Sequence, residues 1–160
     1  MISKKIFRLS LVMALVVLAA GVCWAASFSL PEIDGWKCGE IMSADFDAVS
    51  GNQGYWLQRD YTTPSGTPIE AILMGGKGPG NLRMPPPGTD SATGVYGDGG
   101  TFRTLRAGGF PAILENRPLL GLSLSVNLGG ATVTFESARF ALSEDEFIEA
   151  ASVIIRSMNP

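Results

Sequence analysis

Two close pairs of carboxylates stand out for the chemistry they could do: Glu32 with Asp34, and Asp45 with Asp47. Paired carboxylates are the minimum equipment for acid–base hydrolysis of a glycosidic bond, provided a cleft holds them at the right separation. Neither pair comes with an aromatic-lined cleft that the sequence reveals, and charged loop side chains are usually just solvated. Three cations follow, Arg83, Arg103 and Arg106, within 24 residues of one another, with Tyr96 between them. These four residues are the candidates for contacting an anionic ligand or a protein partner. Arg103 and Arg106 differ by three, which on a regular strand puts them on opposite faces unless a bulge intervenes.

Other chemistries fall away. The chain has no His, so a Ser-His-Asp triad, a Cys-His pair and His-containing zinc sites cannot be built from it. Gly75-Gly76-Lys77-Gly78 lacks the spacer and the Ser or Thr of a phosphate loop. Asp45, Asp47 and Asn52 resemble the start of a calcium loop, but Val49 and Trp56 would occupy ligand positions that need side-chain oxygen. The expectation is therefore no catalytic residue, no metal and no cofactor.

A basic start (Lys4, Lys5, Arg8), an apolar run from Leu9 to Ala20 and small residues at Cys23 and Ala25 predict a signal peptide over residues 1–25, cleaved after Ala25. The protein is then periplasmic or extracellular, with residues 26–160 as one domain and no membrane span left. A lipoprotein reading would acylate Cys23, but Ala20-Gly21-Val22 is a poor lipobox. An uncleaved anchor would need about 18 apolar residues, and Ser10 and Gly21 interrupt the run. After cleavage nine cations face fifteen anions, a net charge near −6. That balance, without a basic cluster, argues against nucleic acid and anionic membrane surfaces as partners. Only Cys38 then remains, so no intramolecular disulfide forms; it reads as a small core hydrophobe, with an intermolecular disulfide or a reactive thiol as the alternatives.

The elements that must position these groups are mostly strands. Leu120, Leu122, Leu124, Val126 and Leu128 alternate with small polar residues, and after Gly129-Gly130 the residues Ala131, Val133 and Phe135 do the same. A period of two around a Gly-Gly turn predicts a hairpin that pairs Leu128 with Ala131, Val126 with Val133 and Leu124 with Phe135. A second hairpin joins Tyr55, Leu57 and Tyr61 to Ile69, Ala71 and Leu73 through the Pro- and Gly-containing turn at 63–68. Further strands are expected at Trp36 to Met42, Thr101 to Ala107 and Phe110 to Asn116. The chain closes in a helix capped by Ser143 with Glu146 completing a capping box, and Phe147, Ala151, Ile154 and Met158 form its apolar stripe. The fold class expected is α+β: a mainly antiparallel sheet of five to seven strands, covered on one face by that helix.

Between the hairpins, half of the 26 residues from Gly75 to Gly100 are Gly or Pro. A connection of this length is either functional or disordered. Around it, the Phe28-Ser29-Leu30-Pro31 to Gly35-Trp36 opening, Phe110-Pro111-Ala112-Ile113-Leu114, and Leu142 to Phe147 running on to Ser152-Val153-Ile154 resemble the PsbP-like group of small extracytoplasmic domains. They are also similar to uncharacterised domains on bacterial lipoproteins and anti-sigma-factor chains. The Gly75 to Gly100 insert departs from that pattern. The resemblance implies a sheet covered by helices and an accessory or assembly role, and it carries no functional residue onto this chain. Three functions follow as expectations. The first is an accessory or assembly protein binding another envelope protein through the Gly75 to Gly100 loop or the strand edge beside it. The second is a small-ligand binder with Tyr96, Arg103 and Arg106 lining one space, and the third a carboxylate-dependent hydrolase.

Overall fold

The alternation that predicts strands is realised as one antiparallel sheet of nine, in a computed structural model that describes residues 28–77, 82–91, 99–138 and 140–158. The leader (1–25) and Tyr96 lie outside the described residues. The strands are β1 (Lys37–Cys38), β2 (Met42–Ala48), β3 (Gly51–Thr62), β4 (Pro68–Gly76), β5 (Asp90–Ser91), β6 (Thr101–Ala107), β7 (Phe110–Arg117), β8 (Gly121–Asn127) and β9 (Ala131–Ala138). One helix follows, α1 (Glu144–Ser157). Their order across the sheet is β1-β3-β4-β9-β8-β7-β6-β5, with β2 also on β3. The β3–β4 hairpin and the β5 to β9 meander therefore meet where β9 lies against β4.

The predicted registers hold. Val126 is opposite Val133 and Leu124 opposite Phe135, while the Leu128 amide donates to the Ala131 carbonyl at 2.9 Å across the turn. Gly129 takes φ 85°, a left-handed angle that a side chain there would resist. Tyr61 pairs with Ile69 and Leu57 with Leu73 in the other hairpin.

Strand number exceeds the five to seven expected, for local reasons. Trp36 to Met42 does not form one strand: β1 stops at Cys38, and the chain resumes at Met42 as β2 along the same edge of β3. Four of the seven β2 residues, Ala44, Asp45, Asp47 and Ala48, have little strand preference, so its pairing comes from the neighbour and not from propensity. β5 is a two-residue pairing inside the Gly/Pro-rich segment. Leu119 and Leu120 belong to the turn before β8, with the Leu120 amide bonded to the Arg117 carbonyl, and both are exposed.

The sheet buries one face. Leu73, Leu114, Leu124, Val126, Val133 and Phe135 face Phe147, Ala151, Ile154 and Ile155 of α1, all at 1% exposure or less. The whole predicted helical stripe is buried, Met158 included. Ser143 and Glu146 form the reciprocal capping box. Beyond the reach of α1, the extended segment 28–36 covers β3. Arg59 ties it down, donating from Nη1 to the Leu30 carbonyl and from Nε to the Gly39 carbonyl, both at 2.8 Å, while the Tyr61 hydroxyl donates to the Pro31 carbonyl at 2.8 Å. Trp36 meets Tyr61 edge-on, and half-buried Cys38 packs against this corner of the core.

Candidate functional site

Proline content would leave the β4–β5 connection without partners of its own, yet its described part is fastened to the sheet. On the face opposite α1, the Leu82 amide donates to Thr132 Oγ1 at 3.2 Å and Asn127 Nδ2 donates to the Leu82 carbonyl at 3.0 Å. At the other end, the amide of Thr89 donates to Thr104 Oγ1 at 3.1 Å, and the Thr104 amide donates to the Thr89 carbonyl at 3.1 Å. The Thr89 hydroxyl closes a turn on the Pro86 carbonyl at 2.6 Å. The chain thus crosses the far face from the central strands to the β6 edge.

Between this strap and the sheet lies a groove of about 390 Å³, lined by Met84, Pro85, Pro87, Gly88, Thr104, Leu105, Arg106 and Pro111. Its walls are mainly apolar, with Arg106 as the cation and Thr104 as the hydroxyl. A preformed apolar groove with few polar groups suits an extended apolar segment, since the walls need not be ordered on binding.

Of the sequence-predicted residues, Arg83 stands exposed on the strap. Arg103 and Arg106 occupy opposite faces, because β6 pairs with β7 in unbroken register from Thr101 to Ala107. They do not share one space, which corrects the arrangement expected for a ligand lined by both. Arg106 lies at the groove and donates to the Gly109 carbonyl. Arg103 lies on the α1 face, paired with Glu144 at 3.1 Å, while Asn116 donates to the other Glu144 oxygen at 3.1 Å. That second cleft, about 440 Å³, is lined also by Asp90, Ser91, Thr101, Phe102 and Leu114. Glu144 neutralises Arg103 there and Asp90 adds a further carboxylate, so the cleft has no net positive field.

The carboxylate pairs are spread apart in role. Glu32 is 83% exposed and bonded to Arg59 at 3.2 Å, and Asp34 sits in the exposed turn that follows. Asp45 lines a cleft of about 410 Å³ with Phe28, Tyr55 and Trp56, an aromatic setting that the sequence did not disclose. Asp47 lies past a register shift and accepts from Asn52 at 3.4 Å. Burial pushes the Tyr55 hydroxyl above its ordinary pKa, so it stays protonated beside Asp45.

Among the described residues no three acidic or cysteine side chains are grouped to hold a metal ion, and no helix is long and apolar enough to cross a membrane. Sequence reasoning singled out the strap, including Met84, but missed Thr104, Leu105 and Pro111 as its counterpart wall. The Pro85-Pro86-Pro87 run opposite a strand bearing Pro111 is the signal that pointed there. No protein-family model, curated protein or solved structure matches the chain.

Proposed function

We propose that this is an exported, non-catalytic accessory protein that holds an extended apolar segment of another envelope protein in the groove beneath residues 82–89. The observation that carries this reading is the fastening of a proline-rich strap at both ends, which holds a mainly apolar groove between strap and sheet. The leader supports export, and the resemblance to PsbP-like domains agrees with an accessory role.

The test is a photo-crosslinking residue at Met84, introduced into the protein in its native envelope. A discrete adduct is expected, and it should disappear on adding Pro111→Asp, which puts a charge in the groove wall opposite Arg106. The same adduct formed equally from a crosslinker at Ser65, in the β3–β4 turn, or surviving Pro111→Asp, would rule the groove out.

A second reading rests on the Arg103–Glu144–Asn116 cleft, whose opposed charges suit a small zwitterion. Such a ligand, binding only the folded form, would raise Tm with concentration in a thermal-shift series of amino-acid-like compounds. The rise should vanish in Arg103→Gln, and its absence for every compound would discard this reading.

A further inference from the structure

Among the described residues β2 is an outermost strand: it pairs only with β3, and its other edge carries backbone donors and acceptors that no described strand meets. Free edges template pairing with another chain unless charge, proline or a bulge blocks them. Here the block is partial. The register shift falls between Phe46 and Asp47, which leaves Met42 to Phe46 as a regular five-residue stretch with Ala44 at its centre. Side chains alternate along it. Met42, Ala44 and Phe46 share the face opposite α1 with Trp56 of β3, whereas Ser43 and Asp45 point to the α1 face. Met42 is 51% exposed and the neighbouring Ile41 is 46% exposed, a large apolar content for an uncovered edge.

We infer that this stretch pairs antiparallel with the same stretch of a second copy, about a two-fold axis through Ala44, joining two sheets edge to edge. The occupant follows from the register. A two-fold axis normal to the sheet keeps like faces together, so opposed residues must share a face, and only every second register is allowed. Centring on Asp45 sets that carboxylate against itself, and centring on Phe46 sets Asp45 against Asp47, so like charges oppose both. Centring on Ser43 draws Ile41 from outside the strand against Asp45. Centring on Ala44 opposes Met42 to Phe46 on one face and Ser43 to Asp45 on the other. The first is an apolar pair with sulfur beside an aromatic ring, and the second lets a hydroxyl donate to a carboxylate. No like charges meet in that register. A five-residue seam is narrow beside a standard interface of about 1,600 Å², so the association is reversible and depends on concentration.

Sedimentation of the purified protein over a concentration series should show a monomer–dimer equilibrium. Ala44→Lys puts two ammonium groups on the axis and should leave only monomer, with an unchanged far-UV spectrum showing that the exposed position tolerates it. Ala44→Cys should give covalent dimer with a mild thiol oxidant, because opposed Cα atoms lie within about 4.5–5.5 Å, inside disulfide range. Asp47→Cys, past the bulge, should give no more dimer than the parent protein, which carries Cys38 as an internal control. A protein that stays monomeric at every concentration overturns the proposal. So does a dimer that survives Ala44→Lys, or one that crosslinks as well through position 47 as through position 44.

Discussion

Arg59 shows how little of a buried charge's worth lies in its ion pair. Its side chain is 8% exposed while Glu32, the partner, is 83% exposed, so Glu32 is mostly hydrated and its attraction is screened. The two backbone carbonyls are the costlier partners to lose, because removing the guanidinium leaves them buried and unmet. Arg59→Ala should therefore destabilise by about 3 kcal/mol, and Glu32→Gln by less than about 1 kcal/mol, in urea unfolding. Equal losses would show that the salt bridge dominates. Glu70 offers a pH test of opposite sign to the usual carboxylate. Burial, then Asp60 and Glu136 on the flanking strands, hold its pKa above the ordinary range. The folded form binds that proton more tightly than the unfolded form, so ionised Glu70 lowers stability at neutral pH and the loss fades as pH falls through its folded pKa. Glu70→Gln should raise Tm at pH 7 by on the order of 1 °C, with the gain vanishing below about pH 4.

At the scale of elements, α1 is secured at both ends by particular atoms. Ser143→Ala removes the N-cap and should cost about 1 kcal/mol, readable as a lower urea midpoint with an unchanged slope. Glu146, whose pKa the Ser143 hydrogen bonds hold below the ordinary range, makes this contribution pH-dependent. It is present above the ordinary carboxylate value and lost as pH falls through the lowered one. Near the other end, the Gly108 amide donates to Ser152 Oγ at 3.0 Å, and a Cβ on Gly108 would sit 2.6 Å from Ile155 Cγ2 at φ +56°. Gly108→Ala should cost more than the capping change, about 2 kcal/mol in the same assay, because clash and backbone strain combine. The helix, its cap and both long hairpins were legible because each is specified locally, by apolar spacing, a capping box or turn residues. β2 and β5 were not, because their residues favour no strand and only their neighbours make them one. The groove was half legible: the proline run announced the strap, but only the topology could reveal that Thr104, Leu105 and Pro111 wait beneath it.

Across the whole molecule, the two faces of the sheet differ in what they bury. One is sealed by α1 and segment 28–36. The other mixes half-buried Trp56, Ile72 and Met74 near β3 and β4 with the half-buried hydroxyls of Ser125 and Thr134 on β8 and β9, which hydrogen bond at 3.2 Å. Those central hydroxyls have a consequence for crowding. Dry lamination of one sheet upon another requires smooth hydrocarbon on both surfaces, and alcohols stripped of water repay none of the hydration they give up. Layer-upon-layer aggregation is thereby discouraged through the middle of the protein, and contact between molecules is steered outward to the rims.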